Sequence, residues 1–211
     1  MQQQFLALTF EQTKHLVVGN ANLLAYQYLL ERNQWLNHVC WVSGEQGSGK
    51  TMLANEWRAK FGAVDIDLFN HNFANLQAHY YLIDDLPTFD CLHEPLFHLI
   101  NAINAEGAKL LLCSNLTPAQ YPTSLADLSS RLKAADFVEI SAPDDAMLKV
   151  VMQAHLAAKQ LKVETHVLDY LIKRINRSCV QAVAVLDQLD DYSLKYNAEI
   201  NINMARIVLG F

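Results

Sequence analysis

The chain has 211 residues, 52% of them apolar and 18% charged, and a formal net charge of −6. That length holds one large domain or a base domain with a small appendage. The acidic balance, with no cluster of lysine or arginine against it, argues against a stand-alone binder of nucleic-acid backbones. No apolar run is long enough to span a bilayer, and Met1-Gln2-Gln3-Gln4 lacks the basic region of a secretory signal, so a cytoplasmic protein is expected. Cys40, Cys91, Cys113 and Cys179 are far apart with no C-x-x-C spacing. They read as reduced, buried small hydrophobes.

The chain opens with Gln4-Phe5-Leu6-Ala7-Leu8-Thr9-Phe10. Spaced Leu and Phe anchors behind a glutamine suit a hydrophobic groove on a partner; a first strand packed on the base domain is the other reading. The apolar run His38–Ser43 reads as a buried strand and leads into Gly44-Glu45-Gln46-Gly47-Ser48-Gly49-Lys50-Thr51, a complete G-x-x-x-x-G-K-[ST] phosphate loop. In such a loop the glycines let backbone N–H groups turn toward the phosphates, and the following helix adds its positive N-terminus. Lys50 then reaches the outer phosphates and Thr51 offers a hydroxyl to Mg²⁺.

Further strands are expected over Val64–Phe69, Tyr80–Asp85, Lys109–Ser114 and Ala134–Ile140, with helices around Met52–Phe61, His93–Ala105 and Ser124–Leu132. This alternation predicts a parallel sheet covered by helices, with nucleotide at the C-terminal edge of the strands. Asp84 and Asp85 close the third strand as an acidic pair. The first carboxylate orders the Mg²⁺ shell, and the second can orient a water toward the γ-phosphate. Because Asp85 is shorter than the glutamate common at that place, slow hydrolysis is expected. Asn115, after the fourth strand, would hydrogen-bond the attacking water or else initiate the turn before Pro118. The helix-like Leu125–Leu132 buries Leu125, Leu128 and Leu132 and projects Arg131, either as an arginine offered to a neighbour's γ-phosphate or as a solvated helix-end cation.

After Ser141-Ala142-Pro143-Asp144-Asp145 the pattern turns helical throughout: Asp144–Leu161, Thr165–Ile175, Ser178–Tyr196 and Ile202–Leu209. His93 and His98 lie five positions apart and diverge around a helix, so both read as surface or edge residues rather than metal ligands. Trp35, Trp41 and Trp57 read as packing residues.

Taken together these motifs resemble the AAA+ ATPases of the replication-initiator clade, and within it the Hda family, the regulatory inactivators of DnaA. The resemblance covers nearly the whole chain. Val17-Val18-Gly19 through Tyr26 looks like the adenine-lining segment, Gly44–Thr51 with Met52 like Walker A, Leu82–Asp85 like Walker B, Asn115 like sensor I, and Leu125–Leu132 like box VII with Arg131 as its finger. It implies an α/β fold: a P-loop AAA+ base domain with a five-stranded parallel sheet at 13–142, a small all-α lid at 143–211, and a clamp-binding-like peptide at 1–12.

The implied activity is regulatory: docking on DnaA–ATP and stimulating its hydrolysis through a trans arginine, with the chain's own ADP or ATP and Mg²⁺ as scaffold. In that family a peptide of the form Q-L-x-L-x-L/F engages the sliding clamp, the β subunit of DNA polymerase III. Here Gln4, Leu6, Leu8 and Phe10 approximate it, with Phe5 inserted. At the usual sensor II arginine the chain has Val180; Arg177, placed one turn earlier on the same helix, is the candidate replacement. Weak ATP-over-ADP discrimination is therefore expected. Asn70–His79 is too short for the helices that grip single-stranded DNA, and a helix-turn-helix domain past Phe211 is missing, so no sequence-specific DNA binding is expected. A homodimer is possible on this reading. The rivals are a helicase-loader-type or other self-assembling AAA+ ATPase, and a small P-loop kinase, which six scattered arginines and a C-terminal lid disfavour.

Overall fold

A computed structural model describes residues 16–32, 35–69, 73 and 76–210. They fall into two compact units, Val18–Pro143 and Asp144–Phe211, the second grouped with Leu16 and Val17.

The first unit is built on five parallel strands, β1 Val39–Gly44, β2 Val64–Asp65, β3 Tyr80–Ile83, β4 Lys109–Ser114 and β5 Asp136–Ile140, in the order β2-β3-β4-β1-β5. Strands covered on both faces need apolar residues at every position. Val39-Cys40-Trp41-Val42 and Leu110-Leu111-Leu112-Cys113 satisfy this, and all eight are buried. On one face Trp41, Leu110 and Leu112 pack with Leu96, Leu99 and Ile103 of α3 (His93–Glu106) and with Leu128 and Leu132 of α4 (Ala126–Ala134). Against the other lies α2 (Lys50–Phe61), whose buried Trp57 stacks on Trp35 at 5.4 Å and meets Tyr80 edge-on at 5.7 Å. Truncating a tryptophan so placed costs about 3–5 kcal/mol. All three tryptophans are packing residues, as expected.

A helix that the sequence pattern did not suggest precedes the sheet. α1 (Leu23–Tyr26) continues as wider π-helical turns over Gln27–Arg32 and buries Ala25, Leu29 and Leu30. It packs beside β5, where Ser141 N donates to Ala21 O at 3.0 Å.

The second unit is all helical: α5 Asp145–Ala158, α6 Thr165–Ile172, α7 Cys179–Tyr196 and α8 Ile202–Leu209. Apolar side chains at three- and four-residue spacing, among them Leu148, Met152, Leu168, Leu171, Leu186 and Leu189, form one core. Side-chain N-caps start three of the helices: Asp144 Oδ1 accepts from Met147 N at 2.7 Å, Ser178 Oγ from Gln181 N at 3.3 Å and Asn201 Oδ1 from Met204 N at 3.0 Å. Between α5 and α7, Asp187 accepts from His155 and pairs with Lys159 at 2.6 Å, and Lys159 also reaches the buried Asp190 at 3.1 Å. Burial alone would raise the Asp187 carboxyl, but the hydrogen bonds from Lys159 and His155 outweigh it and hold its pKa below the usual value.

Several expectations need correcting. The second strand pairs over only two residues, and β3 ends at Ile83, ahead of its acidic pair. Cys91 is exposed, although all four thiols are free and Cys40 and Cys113 are buried. His93 is buried, not at the surface: it sits at the start of α3 with its ring edge-on to Tyr121 at 5.7 Å. No helix among the described residues is long and apolar enough to cross a membrane.

Candidate nucleotide-binding site

The phosphate loop occupies the end of β1, between β4 and β5, on the strand-end edge where an open α/β fold places its ligand. Gly49 adopts a left-handed backbone (φ 101°) that an L-residue with a Cβ resists, and from there α2 begins directly. Gly44 answers a different need. A Cβ there would lie 2.6 Å from Ser48 Oγ and 2.8 Å from the backbone oxygen of Ile140, so the strand can turn into the loop only without a side chain.

Lys50 is buried despite its charge. Its Nζ donates to Gly44 O at 2.6 Å, to Glu45 O at 3.0 Å and to Asn115 Oδ1 at 2.8 Å. Burial lowers the ammonium's pKa, opposed by nearby negative charge including Asp85 and Asp84. The fold thus brings together four residues from three separate stretches of the sequence: Lys50 at the head of α2, Asp84 and Asp85 past β3, and Asn115 past β4. Asp84 and Asp85 are exposed in the bend that follows β3, and Asp85 has φ 59°. The chain then returns to the sheet through Leu86 N, which donates to Cys113 O at 2.7 Å.

A polyphosphate fits these residues. Gly49 offers no side chain to cap α2, so the first N–H groups of that helix are available to an anion. Ser48 Oγ is buried without a hydrogen-bond partner among the described residues, and so is Ser43 Oγ at the tip of β1. Buried hydroxyls in native proteins are nearly always bonded, so a ligand oxygen at the loop removes an otherwise costly vacancy in their bonding. Thr51 and Met52 lie exposed on the first turn of α2.

Val17 and Val18 are half-buried. Gly19 is held by Asn22, whose Oδ1 accepts from Gly19 N at 2.9 Å, while Gly19 O accepts from Asn22 N at 3.1 Å and Leu23 N at 2.9 Å. Asn22 is almost fully buried, and it organises this turn although the sequence reading gave it no role. An asparagine just ahead of an apolar helical run was the available signal.

Arg131 lies on the last turn of α4, exposed, with its guanidinium 5.1 Å from the centre of the Phe97 ring on α3. Fully buried Leu128 and Leu132 turn the adjoining side of α4 into the core. Arg177 requires a correction. It is not on α7 but in the loop before Ser178, the cap of that helix, and it pairs with Asp145 at 2.8 Å. Val180 is 66% exposed on the first turn of α7. Gln4, Leu6, Leu8 and Phe10 lie outside the described residues.

Comparison with known proteins shows what the chain is similar to. Residues 144–209 match the model of the Hda lid domain. The chain is 24% identical over 181 residues to the chromosomal replication initiator protein DnaA of Lactobacillus helveticus, covering 78% of this chain and 40% of that protein. It is 28% identical over 211 residues to an uncharacterized protein of Haemophilus influenzae, covering 91% and 90%. Domain III of the Thermotoga maritima replication initiation protein DnaA superposes with a TM-score of 0.77 at 19% identity, over 92% of this chain and 93% of that one.

These matches support a Hda/DnaA-like AAA+ protein. Its expected fold, a parallel α/β base with a helical lid, is the one observed. The chain spans about two fifths of the length of the DnaA relative that it matches. Another similar structure, AMPPCP-bound DnaA from Aquifex aeolicus, has a TM-score of 0.67 at 20% identity, over 85% of this chain and 65% of that one.

Proposed function

We propose that this Hda/DnaA-like protein is a nucleotide-bound regulator of replication initiation that makes a DnaA-type initiator hydrolyse its ATP. The supporting observation is the placement of Arg131. It stands outward at the end of a helix anchored by Leu128 and Leu132, in a chain whose lid matches the Hda model. A guanidinium so presented can stabilise the charge that grows on a neighbour's transferring phosphoryl group, an effect worth about 10³–10⁵ in rate.

The chain's own nucleotide, ADP or ATP with Mg²⁺, is assigned to Gly44, Gly47, Ser48, Gly49, Lys50, Thr51 and Met52, with Val17, Val18 and Gly19 toward the base. Mg²⁺ is assigned to Thr51 and Asp84, which supply the oxygen ligands it prefers. Asp85 and Asn115 are assigned to orient a water. When bound, the nucleotide–metal pair supplies negative charge that satisfies Lys50 and the open end of α2. Arg177 is engaged by Asp145, and Val180 carries no charge, so weak ATP-over-ADP discrimination is expected. Gln4, Leu6, Leu8 and Phe10 are assigned to the sliding clamp on DNA.

The test is reconstitution. This chain, a DnaA–ATP complex and clamp loaded on DNA are combined, and phosphate release is followed with each component omitted in turn. Release that requires this chain and falls when the clamp is left out supports the reading; release unchanged by omitting this chain refutes it.

A further inference from the structure

Two of the three arginines of the helical unit are not answered by its carboxylates. Its other arginine and two of its lysines are paired: Lys149 with Asp169 at 2.7 Å, Lys159 with Asp187 and Asp190, and Arg177 with Asp145. Arg174 and Arg206 have no carboxylate partner among the described residues. Both converge on one tyrosine instead. The Arg174 guanidinium lies 3.7 Å from the centre of the Tyr170 ring and donates to Tyr170 O at 3.1 Å. Arg206 lies 5.8 Å from the same ring, and its Nε reaches Tyr170 Oη at 3.4 Å.

Part of this arrangement is explained locally. Arg174 caps a carbonyl at the end of α6, Arg206 sits in the last turn of α8, and both positions favour positive charge. Stacking on a ring adds roughly 0.5–1 kcal/mol at an exposed site. None of this requires two arginines, from two helices, to meet at one ring, where their like charges repel. The ring limits the rotamers of both, so less conformational freedom is lost when their remaining N–H groups are taken up by an acceptor.

Beside them one aliphatic side chain is exposed. Asn203, Arg206, Ile207 and Gly210 form the outward side of α8, and Ile207 is 68% exposed there. Tyrosine, arginine and an exposed aliphatic residue together have the composition of a protein-binding hot spot.

We infer that the Tyr170–Arg174–Arg206 patch, flanked by Ile207, docks an acidic segment of a partner protein, with carboxylates on the two guanidiniums and an aliphatic side chain against Ile207. Charge complementarity selects the acidic occupant. A nucleic-acid strand is disfavoured because its phosphate backbone would need a longer track of cations than two guanidiniums. The inference does not depend on the trans role of Arg131.

The test uses the full chain and a fluorescein-labelled acidic hexapeptide, Asp-Glu-Leu-Asp-Glu-Glu, followed by anisotropy and by NMR shifts of the arginine side chains. The peptide should bind, weaken with salt, and shift the Arg174 and Arg206 signals. The Arg174→Gln/Arg206→Gln double variant should lose roughly tenfold or more in affinity, and Arg174→Lys/Arg206→Lys should recover only part. Circular dichroism melting checks that both variants fold. Equal binding by the amide peptide Asn-Gln-Leu-Asn-Gln-Gln, unchanged affinity in the folded glutamine variant, or no binding at all would overturn the inference. Tighter binding of a short oligothymidylate at the same residues would overturn it in favour of nucleic acid.

Discussion

The phosphate loop and the Arg131 corner belong to the same compact unit, yet they are built in opposite ways. At the loop the buried charge is answered from within: Lys50 has three oxygen acceptors, and Gly44 sits where even a methyl group would collide with Ser48 and Ile140. At the corner Arg131 has the face of Phe97 beneath it and solvent around it. A group that holds a resident ligand must be walled in so that its desolvation is compensated. A group that acts on another molecule must stay at the surface until that molecule arrives. The contrast predicts that damage at the first place is felt in binding and stability, and damage at the second only when a partner is present.

The sharpest way to break that contrast is Arg131→Ala. It should cost about 10³ or more in the stimulated hydrolysis of a partner's ATP and leave this chain's nucleotide affinity and melting temperature unchanged, measured by phosphate release and calorimetry. Lys50→Ala should do the reverse. Calorimetric titration should show nucleotide affinity falling by roughly a hundredfold or more, since two or three charge-assisted contacts are lost. Gly44→Ala tests the walled-in side through packing alone. The added Cβ forces the strand end apart and should cost about 1–3 kcal/mol in denaturant unfolding; unchanged stability would mean that the loop yields more easily than its contacts imply.

The smallest expected effect lies in the helical unit. Because the Asp187 carboxyl is held below its usual pKa, its contribution is complete above the unfolded value of about 4 and is lost as pH falls through the lower folded value. Asp187→Asn should therefore destabilise the protein at neutral pH by under about 1 kcal/mol, given its partial exposure. In strongly acidic solution the difference from the parent should close. A deficit that grows toward low pH would reverse the sign.

How much could be read from the sequence follows the range of the interactions. The phosphate loop was legible because its chemistry is fixed by covalent spacing between Gly44 and Thr51. α7 and α8 were legible because their apolar positions repeat at helical period, and β4 because an unbroken apolar run has few alternatives. α1 was not, because Gly19-Asn20-Ala21-Asn22 reads as loop, and it is packing of Ala25, Leu29 and Leu30 that makes the next ten residues helical. Val64–Phe69 alternates like a strand, yet only Val64 and Asp65 pair with β3. Arg177 was misplaced for a similar reason. Its partner Asp145 is distant in sequence, and Ser178, not Arg177, makes the capping bond. His93 is buried by a ring contact to Tyr121, which no local pattern announces.

Whether the bond broken belongs to the partner's nucleotide, as proposed, is tested by where the label is put. Labelled ATP is loaded on the initiator and a non-hydrolysable analogue on this chain, and single-turnover phosphate release is compared with the opposite loading. The account predicts fast, Arg131-dependent release in the first arrangement and little in the second. Fast release only when the label sits on this chain would contradict it.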